Sequence, residues 1–164
     1  MTVTTAFTLD AEPVSVSVTD ASTTLLDLLR QLGRTGTHAG CRNGDCGACT
    51  VLIDGEAYKS CLVPAYRADG TSVRTIQGLT ANGERLHPVQ QAFRDEDGFQ
   101  CGFCLAGPVL CLTALLAADP DPAPESIVDS LAGNLCRCTG YQQIMTAARA
   151  AVTRHNGAGS EETT

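Results

Sequence analysis

The first half of the chain is mostly strand-like alternation of apolar and polar positions around one helical stretch, and the second half repeats apolar positions at helical spacing. Val14, Val16 and Val18 alternate with Ser15 and Ser17, the period-2 pattern of a strand with one buried face. Residues 7–18 are therefore expected to form two short strands, with Asp10-Ala11-Glu12-Pro13 as the turn. Leu25, Leu26, Leu28, Leu29 and Leu32 recur at the spacing of one helix face. Thr24, followed three residues on by Asp27, suits the start of that helix and Gly33 its end. A glycine-rich loop spans residues 36–47. Residues 50–53 then read as a strand, Asp54-Gly55 as a two-residue hairpin turn and residues 56–60 as the return strand; residues 73–76 offer one more. Strand, strand, helix, hairpin, strand is the order of a small sheet folded over one helix.

From about residue 80 the strand pattern stops. Pro88 suits the first turn of a helix carrying Val89 and Phe93, and Pro108 likewise opens an apolar helix over 109–118. The run Asp119-Pro120-Asp121-Pro122-Ala123-Pro124 cannot be helical and predicts a stiff connection. Helices are expected over 125–132, closed by Gly133, and over 142–154. The chain thus divides near residue 80 into domains 1–79 and 80–154, with a small, polar, flexible tail over 155–164.

Composition narrows the chemistry. A chain of 164 residues that is 43% hydrophobic can bury one ordinary core or two small ones and is not a disordered segment. Eighteen acids against eleven bases give a net charge of −7. Lys59 is the single lysine and the ten arginines are scattered, which argues against nucleic acid as a partner. No apolar run approaches the roughly eighteen residues of a membrane span. Residues 1–7 lack the basic and apolar regions of a secretory signal, so the expectation is a cytoplasmic protein without a membrane segment. Nine cysteines in such a chain point to metal rather than disulfides.

Eight of those cysteines form two groups. Cys41-x4-Cys46-x2-Cys49-x11-Cys61 places three thiols in one loop, between Gly40, Gly44 and Gly47, where positive-φ turns can aim N–H groups inward. The predicted hairpin fills the eleven intervening residues and returns the fourth thiol to its starting point. This is the spacing of plant-type [2Fe–2S] ferredoxins; zinc, which also takes four thiolates, is the alternative. The second group, Cys101-x2-Cys104 and Cys136-x-Cys138, lies before two expected helices that open at Gly107-Pro108 and Gly140-Tyr141. Two helix N-termini directed at one site would stabilise an anionic cluster by roughly 0.3–1 kcal/mol each.

The stretches Gly40-Cys41-Arg42-Asn43-Gly44-Asp45-Cys46-Gly47-Ala48-Cys49-Thr50-Val51, Gln100-Cys101-Gly102-Phe103-Cys104 and Gly133-Asn134-Leu135-Cys136-Arg137-Cys138-Thr139-Gly140-Tyr141 resemble the iron–sulfur component of the molybdenum hydroxylases. These are the xanthine dehydrogenase, aldehyde oxidase and carbon monoxide dehydrogenase family. The likeness runs from about residue 7 to residue 152 with all eight ligand positions filled, and a separate chain of this length is similar to the small subunit of three-chain enzymes. The resemblance implies an α+β protein: an N-terminal β-grasp, plant-type ferredoxin-like domain followed by an all-helical, four-helix-bundle-like [2Fe–2S] domain. It also implies an electron-transfer subunit carrying two [2Fe–2S] clusters. Such a subunit relays electrons from a molybdenum–pterin cofactor in a large subunit to FAD in a medium subunit, within a heterotrimer that dimerises. On that basis Cys101, Cys104, Cys136 and Cys138 hold the cluster nearer molybdenum, Cys41, Cys46, Cys49 and Cys61 the one nearer flavin, and Gln100 and Cys138 touch the pterin cofactor. Two positions depart from the family pattern. Leu105-Ala106-Gly107 replaces Thr-Pro-Gly, removing a hydroxyl near sulfur, and Asp10-Ala11-Glu12 replaces an Asn-Gly turn.

The other reactive side chains read as structural. Cys111, flanked by Leu110 and Leu112, suits a buried inert thiol. His38 stands beside a complete cysteine set, so a Rieske-like role is not needed. His87, before Pro88, suits a helix cap. Arg42 and Arg137 lie between ligands and suit solvent. No paired acids, nucleophile elbow, P-loop or dinucleotide fingerprint occurs, so no catalytic residue is expected in this chain. The apolar helices of the second domain suit burial against a large partner. The alternative reading is a free-standing two-cluster ferredoxin-like carrier.

Overall fold

A computed structural model describes residues 2–80 and 85–158. The strands β1 (Val3–Leu9), β2 (Glu12–Val18), β3 (Thr50–Ile53), β4 (Glu56–Lys59) and β5 (Ser72–Arg74) form one sheet in the order β2-β1-β5-β3-β4. The β1–β5 pair is parallel and the other pairs are antiparallel. Alternation along the strands divides their side chains between two cores. Phe7, Leu9, Val18, Val51 and Val73 pack with Leu25, Leu28 and Leu29 of the helix α1 (Leu25–Gln31). Leu52, one residue on from Val51, faces the opposite way and joins the helical core.

Several ends differ from the sequence expectation. The first hairpin closes through two residues rather than four, with Leu9 opposite Glu12 and positive φ at Asp10 (52°) and Ala11 (70°). This left-handed pair matches the twist of the flanking strands. The missing glycine is offset by Asp10, whose carboxylate accepts from the Thr75 amide (2.7 Å) and hydroxyl (2.9 Å) and pairs with Arg34 Nε (2.7 Å). Pro13 consequently lies inside β2, opposite Thr8, which an edge strand tolerates. β4 ends at Lys59, and Ser60–Leu62 is a short 3-10 turn. β5 stops at Arg74 because Thr75 is bound to Asp10 instead of to a strand.

The second half contains α2 (Pro88–Asp95), α3 (Ala106–Ala118), α4 (Pro124–Leu131) and α5 (Gln142–Ala158). α3 begins two residues before Pro108, where a missing amide hydrogen breaks no helical bond. α5 continues through residues 155–158, where the sequence suggests a flexible tail; the rest of that tail, 159–164, lies outside the described residues. α3 is apolar around its whole circumference, and β3, β4, α2, α4 and α5 all pack on it, as expected for a helix set largely inside the fold. Most of its apolar surface is therefore covered within the chain, while Cys111, Ala114 and Leu115 remain half-buried. Among the described residues no helix is long and apolar enough to cross a membrane.

Candidate functional site

Cys41, Cys46 and Cys49 lie on the loop between α1 and β3, and the β3–β4 hairpin returns Cys61 to them on the 3-10 turn. The Cys41 amide donates to Cys46 Sγ (3.4 Å), and the Cys46 amide donates back to Cys41 Sγ (3.3 Å). Together with the Asn43 and Asp45 amides, the Cys46 amide pulls the exposed Cys41 thiol down to about 6. Such donors stabilise thiolate charge. Cys49 and Cys61 are buried side by side against Leu26. Burial, and then the neighbouring Cys49, pushes Cys61 up to about 11.

The second group joins the α2–α3 connection to the α4–α5 connection. Cys101 and Cys138 are exposed with their sulfurs 3.5 Å apart, while Cys104 lies beside buried Cys136. Burial, followed by the Cys136 thiol, raises Cys104 to about 12. At Cys136 burial acts upward, but the Thr139 hydroxyl (3.1 Å) and the Thr139 and Cys138 amides outweigh it and lower the thiol. The Phe103 amide is the main influence lowering Cys101, and the hydrogen bond with Cys101 is the main one raising Cys138. Tyr141, at φ 68°, fixes this turn by accepting the Cys136 amide on its hydroxyl (3.0 Å) and donating its own amide to Thr139 Oγ1 (3.0 Å). α3 begins two residues after Cys104 and α5 four after Cys138.

Each group therefore consists of two pairs of thiols, Cys41/Cys46 with Cys49/Cys61 and Cys101/Cys138 with Cys104/Cys136. Two thiolates on one tetrahedral metal, with bonds of about 2.3 Å, lie about 3.8 Å apart, close to the Cys101–Cys138 separation. Among the described residues no group of three or more His, Cys, Asp or Glu side chains is disposed to hold a single metal ion. Pairing two and two suits a binuclear iron centre with two thiolates per metal better than the single point on which zinc ligands converge. Taking up such a centre would release the protons held by Cys61 and Cys104.

The two groups are physically connected. The Leu135 amide, in the residue before Cys136, donates to the Cys46 carbonyl (2.9 Å). His38 hydrogen-bonds through Nδ1 to the Phe103 carbonyl (2.7 Å) and stacks on the Phe103 ring at 4.7 Å. Asn134 is buried between Gly47 of the first loop and Gly107 of α3; a β-carbon on either would run into its side chain.

The remaining expected residues take ordinary places. Gln100 is exposed next to Cys101. Arg42 pairs with Asp27 of α1 (2.8 Å) and Arg137 is exposed. His87 caps α2, accepting the Val89 amide on Nδ1 (3.3 Å). Cys111 accepts a weak bond from Asn134 (3.4 Å), and burial raises its pKa. Sequence reasoning missed the roles of Thr139, Tyr141, Asn134 and Lys59. The first three stand inside the quoted motifs, but spacing does not tell which way a side chain points.

Comparison with known proteins agrees with this geometry. Residues 7–74 match the 2Fe-2S iron-sulfur cluster binding domain and residues 75–149 the [2Fe-2S] binding domain. The small subunit of nicotine 6-hydroxylase from Paenarthrobacter nicotinovorans is 49% identical over 129 residues, 78% of this chain and 77% of that one. The small FeS subunit of nicotinate dehydrogenase from Eubacterium barkeri is 43% identical over 138 residues, 84% of this chain and 87% of its own. The crystal structure of quinoline 2-oxidoreductase from Pseudomonas putida 86 superposes with a TM-score of 0.87 at 38% identity, covering 95% of this chain and 97% of that one. The chain belongs to the small iron–sulfur subunits of the molybdenum hydroxylases, the family of xanthine dehydrogenase and aldehyde oxidase, and so forms part of an oxidoreductase.

Proposed function

We propose that this chain relays electrons from a molybdenum–pterin centre in a large subunit to FAD in a medium subunit, in a heterotrimer that dimerises in the cytoplasm. Cys41, Cys46, Cys49 and Cys61 would hold one [2Fe–2S] cluster in the domain 1–79. Cys101, Cys104, Cys136 and Cys138 would hold the other in the domain 80–154. When bound, each cluster accepts and releases one electron at a time. The single observation that carries the reading is the Leu135–Cys46 hydrogen bond. It joins the residue preceding one ligand to another ligand, so covalent bonds and one hydrogen bond connect the two thiol groups.

The chain's own groups do the rest of the work. The Asn43, Asp45 and Cys46 amides around Cys41, and the Thr139 and Cys138 groups around Cys136, stabilise negative charge on sulfur. Each site has a closed and an open side: Cys49, Cys61 and Cys136 are buried, while Cys41, Cys101 and Cys138 are exposed. The open edge of the second site, with Gln100 beside Cys101, is where an amide and a ligand sulfur would meet the pterin cofactor.

The order of the relay is tested in the intact complex with Cys104→Ala and Cys61→Ala, each expected to remove one iron–sulfur EPR signal. Magnetic splitting of the molybdenum signal should disappear in Cys104→Ala and persist in Cys61→Ala. The reverse pattern contradicts the assigned order.

A further inference from the structure

Lys59 is the chain's only lysine and stands at the end of β4, opposite Thr50 and two residues before Cys61. Its side chain is half-buried, and Nζ donates to the Gly44 carbonyl (2.5 Å), inside the loop that carries Cys41 and Cys46. On its other side the same ammonium reaches Gly133, lying 3.3 Å from where a β-carbon there would be. Gly133 leads into the second thiol group. Lys59 thus binds the backbone of the first cysteine-bearing loop and faces the glycine that leads into the second.

Among the described residues no carboxylate pairs with it within 4.0 Å. Asp129 lines the same cleft of about 420 Å³ without pairing. A partly desolvated cation without a carboxylate partner is costly unless another anion compensates it. Four thiolates on a binuclear iron core carry about −2 when oxidised, and one-electron reduction adds another negative charge.

We propose that Lys59 is the electrostatic positioning residue of the first cluster site: its fixed ammonium favours the reduced form held by Cys41, Cys46, Cys49 and Cys61 and so makes that site the better electron acceptor. The inference rests on the ligand assignment under Proposed function. One electron leaves the second site and enters the first; no bond or proton moves in the step, so a fixed charge is sufficient to bias it. Lys59 acts from the side where both loops meet, through space and through the Gly44 carbonyl.

Lys59→Gln retains a hydrogen-bond donor while removing the charge; Lys59→Arg retains the charge. The experiment is an EPR-monitored redox titration of the purified native complex and both variants, with iron content measured on each. Lys59→Gln is expected to keep its iron and to weaken one-electron reduction of the first cluster about tenfold, a midpoint about 59 mV lower. The second cluster should move less, and Lys59→Arg should restore the wild-type value. A wild-type midpoint in Lys59→Gln at full iron content overturns the inference. Should Lys59→Gln lose its iron, Lys59→Arg decides: retained iron and midpoint support a role for charge, whereas loss in both assigns Lys59 to shape alone. Wild-type complex without iron would instead overturn the ligand assignment itself.

Discussion

Ala11 occupies a left-handed conformation at φ 70°, which costs a residue bearing a β-carbon roughly 1–2 kcal/mol. Glycine there would relieve this cost, offset by up to about 1 kcal/mol of extra entropy in the unfolded chain. Ala11→Gly is therefore expected to stabilise the protein by up to about 1 kcal/mol, read as a higher unfolding midpoint; a lower midpoint contradicts the strain. His87 carries a pH dependence. Burial first, then the charges of His155 and Arg74, holds its pKa below 6.5, and its unprotonated Nδ1 caps α2. With the folded value depressed, the unfolded chain takes up the proton first as pH falls. The contribution is complete above about 6.5 and declines below it. Between pH 7 and 5 the wild type should lose more stability than His87→Asn, which keeps an acceptor that does not titrate; the difference is about 1 kcal/mol, the worth of a cap. At this scale the sequence was most readable where chemistry depends on spacing: the cysteines, the Thr24 cap and the His87 cap. It was silent on Lys59, Thr139 and Asn134, whose roles depend on contacts with residues distant in the chain or on the direction of a hydroxyl.

Among the elements, α3 and β3 connect the two halves. Leu52 points away from the α1 core and into the helices, so Leu52→Ala should cost about 2–5 kcal/mol, measured by denaturant unfolding. A small loss would mean that the sheet and helices do not share a packed boundary. Gly107 allows α3 to approach the first cysteine loop: a β-carbon there would lie 2.7 Å from the Gly47 carbonyl and collide with Asn134. Gly107→Ala should cost about 1–3 kcal/mol through overpacking and lower the iron content, because both loops carry the proposed ligands. Full iron at wild-type stability would contradict that contact. The order of elements followed from period and turn chemistry, including Asp54-Gly55 and the proline that opens α2; Pro124, read as the last residue of a stiff non-helical connection, is instead the first residue of α4, where a proline's missing amide hydrogen breaks no helical bond. The ends moved where a tertiary bond competed, as at Thr75, which Asp10 draws away from β5. That β3, β4 and three helices cover most of α3 was not legible, because periodicity cannot tell which elements of the same chain cover each face.

For the whole molecule, the side chains that remain exposed and apolar include Leu62 next to Cys61, Phe103 next to Cys104 and Leu135 next to Cys136. Apolar side chains gathered at reactive edges suit protein interfaces, and they flank both thiol groups as a relay between two partners requires. The proposed relay depends on two binuclear iron centres held by this chain between larger subunits. The most direct test is metal analysis with EPR on the native complex purified through this chain. The expected result is about four irons per chain, two distinct iron–sulfur signals on reduction, and molybdenum in a co-purifying larger chain. Zinc in place of iron, or only two irons with a single signal, would contradict it.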